Sequence, residues 1–316
     1  MGSWEDRIHA KPWASRSSPI FTRGLDADPL AFVPPFQDCW DFLVIEPNGI
    51  PCRGLWIDPR RIASGRFLGI LKSMDEEGTA QRFEKDSMGE MRVPIDGLYG
   101  ASTQRAILNF PISGRQMPSG FIHSLGRVKR ACARANQELG TLDQHLAGLI
   151  GTAADEIADG LHDSQFPVDV FQTGSGTSTN TNANEVIAHR ASELISGDPF
   201  SDDIHPNDQV NFGQSSNDVI PTAIHVAAVA AIRGELLPAL DKLGGSLAAK
   251  ADEFGEVVKS GRTHLMDATP VTLGQEFGGY ATQIAKARAR VDGILPELEE
   301  LALGGTAVGS GLNAPD

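Results

Sequence analysis

Hydroxyl and amide side chains crowd a few short stretches of this sequence, and such groups bind an anion through neutral donors. In Gln172-Thr173-Gly174-Ser175-Gly176-Thr177-Ser178-Thr179-Asn180, two glycines flank Ser175 and let the backbone come close to a ligand, while Ser175 and Thr177 offer hydroxyl donors to a carboxylate. A flexible polar loop would have the same composition. His205-Pro206-Asn207-Asp208-Gln209-Val210-Asn211 reads by itself as a turn built on a Pro and an Asx residue. Gly261-Arg262-Thr263-His264-Leu265-Met266-Asp267-Ala268-Thr269-Pro270 sets a His beside Thr and Arg, a grouping that could hold an anion or move a proton. A lone His in such a place is more often structural. No nucleophilic triad spacing, zinc pattern or phosphate loop competes with these stretches.

The element that must position them begins at Gln214-Ser215-Ser216-Asn217-Asp218. Ile220, Ile224, Ala227, Ala231, Leu236, Leu240, Leu243 and Leu247 then recur at intervals of three, four or five, the period of a long helix burying one stripe. Ser216, Asn217 and Asp218 are residue types that cap a helix start. The hydroxyls around them lie at the positive end of the helix dipole, where an anion can sit.

Elsewhere, residues 119–160 carry helical periodicity in two pieces divided near Gly140-Thr141, with Thr141 as the expected cap of the second. Asn184 to Ile195 reads as a shorter helix and Thr269 to Leu301 as a second long one. Residues 93–100 read as an irregular approach, and the Gly-rich stretch Gly304–Gly311 as a turn, because it lacks the Lys and the context of a phosphate loop.

Length suggests about two domains, and 41% hydrophobic residues supply a sizeable core. A net charge of -14 argues against a nucleic-acid partner and requires any site for an acidic substrate to make its positive potential locally. Arg233 and Glu235 break the Ala/Val run before it reaches the roughly 18 apolar residues of a membrane span, so no membrane partner is expected. Cys39, Cys52 and Cys132 have neither metal-ligand spacing nor the density of a secreted scaffold. Free thiols, no metal and a cytoplasmic location are the expectation. Residues 1–73 differ from the rest: all four Trp lie there, and their nine Lys/Arg against eight Asp/Glu leave the acidity to the remainder. A targeting reading of Arg7, Lys11, Arg16 and Arg23 is spoiled by Glu5, Asp6, Pro12 and Pro19.

From Phe83-Glu84-Lys85-Asp86-Ser87-Met88-Gly89 onward, the clusters in this order closely resemble the class II fumarases of the fumarase/aspartase superfamily. Val93-Pro94, Thr103-Gln104-Arg105, Gly174-Ser175-Gly176-Thr177, His205-Pro206-Asn207-Asp208, Ser215-Ser216-Asn217-Asp218, Gly261 to Pro270 and Gly304 to Gly309 carry the resemblance. Aspartases more often have Thr at the position of Ser216, which puts a hydratase first and an ammonia lyase second. The resemblance implies a mainly α, three-domain fold around a long central helical bundle, incomplete here, assembled as a homotetramer whose active sites draw on several subunits. It divides the chain into an unmatched extension (1–73), a mainly helical amino-terminal domain (74–215) and the first part of the bundle (216–316). It implies reversible hydration of fumarate to (S)-malate without a cofactor. His264 would be catalytic, and Ser175, Gly176, Thr177, Ser215, Ser216, Asn217 and Thr263 would bind the dicarboxylate. A second dicarboxylate site would form at His205, Pro206, Asn207 and Asp208. Two departures stand out: the family's Gly-Ser-Ser loop, source of the base serine and of a lysine and an asparagine for the substrate, is expected beyond Asp316, and Asp202 occupies a position three before His205 that is often basic. A non-catalytic, assembly-competent fragment is the reading from another class.

Overall fold

The structure is a computed structural model and describes residues 80–314. The distinct segment expected over residues 1–73, with Cys39 and Cys52, lies outside the described residues.

The described chain opens on a hairpin that periodicity did not reveal. Strand β1 (Gln81–Asp86) pairs antiparallel with β2 (Gly89–Pro94), and Gly89 takes φ 117° at the turn. Both strands are rich in charge and only partly buried, so the apolar alternation that betrays a strand is weak. The hairpin is anchored by Arg82, whose guanidinium donates to the carbonyls of Pro94 and Tyr99 and lies 3.8 Å over the Phe200 ring.

Helix α1 (Ala101–Asn109) has no capping side chain of its own. Its first N–H groups are met by a carboxylate from another helix: Glu185 accepts from Gly100 N at 2.9 Å, Ser102 N at 3.0 Å and Thr103 N at 3.2 Å. Helices α2 (Ser119–Glu138) and α3 (Gln144–Ala158) match the two expected pieces. Their cap differs: Asp143 accepts from the backbone of His145 and Leu146, while Thr141 instead donates to the Asn136 carbonyl and closes α2. Gly126 lets these helices cross closely, since a Cβ there would meet Ala154 O at 2.8 Å.

Helix α4 runs Thr177–Ser196, two turns longer at its start than the apolar pattern indicated. Those turns bury Asn180, Asn182 and Asn184 instead of aliphatic residues, so hydrophobic periodicity could not show them. His205-Pro206-Asn207-Asp208 enters a single π turn, Pro206–Val210.

The long helix is present as α5 (Ser216–Ala231), a π turn (Ile232–Leu236) and α6 (Leu237–Glu253). The π turn accounts for the five-residue step from Ala231 to Leu236, because an i→i+5 turn inserts one residue into the stripe. The cap is Ser215, one residue before the expected trio, with Asp218 completing a reciprocal capping box. By length and composition Ser216–Glu253 could cross a membrane, and Arg233 and Glu235 by themselves do not prevent it. Its first two turns, through Val219, Ile220 and Ala223, are instead part of the protein core.

Gly261–Pro270 is not a loop, and helix does not begin at Thr269. Strand β3 (Val258–Thr263) pairs antiparallel with β4 (Met266–Thr272), with a register shift at Ser260/Arg262. A Cβ on Gly261 would come within 2.6 Å of Thr269 O. Helix α7 (Leu273–Gly293) starts on its own capping box, Thr272 with Gln275. The expected run to Leu301 breaks at Ile294, before the short α8 (Leu295–Leu298), which carries a Pro in its first turn. The core gathers Leu125, Ile150, Ile157, Val186, Ile187 and Val219, each no more than 1% exposed, from α2 to α5. By contrast α6 buries only Leu237 and α7 only Gly274.

Candidate functional site

The start of α5 collects two of the polar clusters and the Gly-rich loop. Ser215 Oγ accepts from Asn217 N at 3.3 Å, and Asp218 Oδ1 accepts from Ser215 N at 2.9 Å. The other Asp218 oxygen takes Gly304 N at 3.2 Å and Thr306 N at 2.8 Å, while Asn217 Nδ2 donates to Ala307 O at 2.9 Å. Gly304–Gly311 is thus more than a turn: its backbone is bound to the capping residues of the long helix.

Gly176 brings the first cluster to the same place. It takes φ 69° at the cap of α4, and a Cβ there would stand 3.0 Å from Ile220, so only glycine lets this loop lie on the first turns of α5. Ser175 and Thr177 are exposed, and their hydroxyls are 2.7 Å apart. Asn180, one turn into α4, donates to Ser216 Oγ at 3.1 Å and to Asn211 Oδ1 at 3.2 Å. The site end of α5 therefore presents hydroxyls, a carboxamide and a helix N-terminus, a set of neutral donors suited to a carboxylate.

The second cluster lies at the edge. His205 Nδ1 accepts from Asp208 N at 3.1 Å and caps the π turn, with both side chains exposed. Asn207 and Asp208 share a cleft of about 740 Å³ with Asn211, Ser215, Thr306 and Ala307. Asp202 is exposed as well.

Thr263 and His264 are placed elsewhere. They form the tip of the β3–β4 hairpin, where His264 (φ 51°) and Leu265 (φ 62°) make the left-handed pair of a tight hairpin turn and Leu265 is 99% exposed. That hairpin follows α6, and the 38 residues from Ser216 to Glu253 extend about 57 Å at 1.5 Å per residue. Gly274 packs on Ala251 and Gly255, which fixes the hairpin at the far end of the helix. Within one chain, His264 and Thr263 do not meet Ser175, Ser216 or Asn217.

Behind the α5 end lies a residue that the sequence reading missed. Lys129 of α2 is wholly buried, and its Nζ donates to Asn211 Oδ1 at 2.9 Å and Gln214 Oε1 at 2.8 Å. Burial lowers its pKa from the usual lysine value to about 7. Burial also raises the neighbouring Cys132 thiol to about 11, which keeps it protonated and unreactive. A signal was present: Lys129 falls on the apolar stripe Leu125, Cys132, Ala133, where a lysine has no reason to be if the stripe only packs.

A family model described as "Lyase" matches residues 89–316. The class II fumarate hydratase of Halobacterium salinarum is 60% identical over 232 residues, 73% of this chain and 49% of that protein. That of Mycobacterium tuberculosis is 57% identical over 244 residues, 77% of this chain and 50% of the relative. The crystal structure of a class II fumarase from Schistosoma mansoni superposes with a TM-score of 0.73 at 44% identity, covering 75% of this chain and 50% of that one. The chain spans about half the length of the curated relatives it matches. With the family model covering most of the sequence, the chain belongs to the lyase family, and the relatives it is similar to over that region are class II fumarases.

Proposed function

We propose that the protein takes part in the reversible hydration of fumarate to (S)-malate. The observation that carries this reading is the convergence of Ser175, Thr177, Ser216 and Asn217 on the N-terminal end of α5, neutral donors placed for a carboxylate on a chain of net charge -14. In the dehydration direction a base removes a C3 proton of malate, the charge passes into the adjacent carboxylate as an aci-carboxylate, and the C2 hydroxyl departs as water. The donors at the α5 end stabilise that charge as an oxyanion site does. His264 serves the hydroxyl side and Thr263 adds a donor. The base is assigned to none of the described residues.

Because the length of α5–α6 separates His264 from Asn217, a second copy of the chain must bring its hairpin to this site. The exposed faces of α6 and α7, with Leu243 47% exposed, support assembly through these helices, with a homotetramer as the proposed state. His205, Asn207 and Asp208 form the proposed second dicarboxylate site, weakened by Asp202. The substrate's own carboxylate is the electron sink, so the reaction requires no cofactor, and a cytoplasmic location is part of the proposal.

The test is formation of fumarate from (S)-malate, followed by ultraviolet absorbance, by the 316-residue chain and by the same chain extended through the family's Gly-Ser-Ser loop. Turnover in the extended chain that falls about 10²- to 10⁴-fold in His264→Asn supports the reading. Fumarate from aspartate but not from malate would replace it with an ammonia lyase. Robust turnover by the 316-residue chain would place the base among its own residues.

A further inference from the structure

Among the described residues Lys129 has no carboxylate partner within hydrogen-bonding distance, and both its acceptors are neutral carboxamide oxygens. Asp218, whose charge acts on the amine, is already engaged by the N–H groups of Ser215, Gly304 and Thr306. Burying an amine against two amides is costly, and a methionine would fill the same space on the stripe without that cost. Packing of α2 does not require the amine, since Leu125 and Val128 supply the apolar contact.

What the amine does is fix orientations. A carboxamide can present either its oxygen or its NH₂, and the surrounding network decides which. Lys129 demands the oxygen of Asn211, which turns the Asn211 NH₂ toward the Gln214 carbonyl. Asn180 must then present its own NH₂ to Asn211 Oδ1, and the same Nδ2 reaches Ser216 Oγ. Among the described residues the buried Asn180 oxygen finds no partner, a cost that no local preference explains. With an N–H already pointing at its oxygen, Ser216 keeps its own proton free to donate.

We propose that Lys129 is a positioning residue of the carboxylate site, acting through Asn211 and Asn180 to hold Ser216 as a hydrogen-bond donor; this rests on the reading that Ser216 binds the dicarboxylate.

The experiment is a double-mutant cycle on fumarate affinity, measured by calorimetry on the full chain with Lys129→Met, Ser216→Ala and both together. Each single variant is expected to weaken fumarate binding by roughly tenfold, the scale of one hydrogen bond to a charged group, and the double variant no more than either. Ser216→Ala weakening binding while Lys129→Met adds independently, or does nothing, overturns the inference and leaves the dicarboxylate reading intact. Fumarate affinity indifferent to Ser216→Ala removes that reading and the inference with it. If Lys129→Met does not fold, Asn180→Ala cuts the same chain one link later. The inference then stands on non-additivity in that cycle and falls on additivity.

Discussion

The carboxylate of Asp218 accepts the backbone N–H of Thr306 at 2.8 Å, joining the first turn of the long helix to a loop 88 residues further on. The same side chain takes Gly304 N and Ser215 N, so one buried group closes the helix cap and holds the Gly-rich loop against it.

Asp218→Ala should therefore loosen two places at once. Three backbone N–H groups lose their acceptor, and the expected loss of stability is about 3 kcal/mol or more, read as a lower urea midpoint. Hydrogen exchange should accelerate at Gly304 and Thr306 as well as at Ser215. Exchange confined to the helix start would show that the loop is held by something else.

Lys129 makes stability depend on pH in a defined direction. Its folded pKa is lowered to about 7 from a usual 10.5, so between those values the unfolded chain holds a proton that the folded chain lacks. Stability therefore rises with pH across that window, and the penalty is fully present below about pH 7. Relative to Lys129→Met, the native chain should gain about 2–3 kcal/mol from pH 7 to pH 9, at about 1.4 kcal/mol per unit. Urea unfolding of both proteins at the two pH values checks this; a constant difference would mean that the amine is not desolvated as placed.

Glu185 is the cap that α1 lacks in its own sequence. Replacing it by Ala leaves Gly100 N, Ser102 N and Thr103 N without their acceptor and should cost about 2–4 kcal/mol, with faster exchange at those three amides. Unchanged protection there would refute the cap.

Two glycines of α7 should respond oppositely to Ala. At Gly274 a Cβ would lie 2.5 Å from Ala251 O and 2.8 Å from the Gly255 Cα, so Gly274→Ala must push α7 off α6 and is expected to cost about 2 kcal/mol. At Gly279 nothing lies within 4 Å, and Ala should gain up to about 1 kcal/mol from helix propensity. Thermal melts of the two variants side by side decide it; equal effects would mean that the α6–α7 crossing is not as close as described.

The sequence by itself was enough for the family and for the polar clusters, because Gly174-Ser175-Gly176-Thr177, Ser215-Ser216-Asn217-Asp218 and Gly261 to Pro270 are contiguous and can be read in place. It also showed the long helix from Ile220 to Leu247, since an apolar stripe is a local, repeated signal. The β1–β2 and β3–β4 hairpins escaped it: many of their residues are charged or exposed, and the apolar alternation on which a strand reading depends is weak. Only the tertiary structure decided that α4 begins at Thr177, because its early turns bury asparagines in a polar network instead of a hydrophobic face. The same holds for Lys129, whose partners lie 82 and 85 residues away, and for the Glu185 cap on α1. It holds too for the separation of His264 from Asn217, which follows from the rigid length of α5–α6 lying between two motifs that look like neighbours on the page. Side-chain periodicity is set within a few turns of chain, whereas hydrogen bonds between distant segments and the distance spanned by a helix are properties of the folded arrangement.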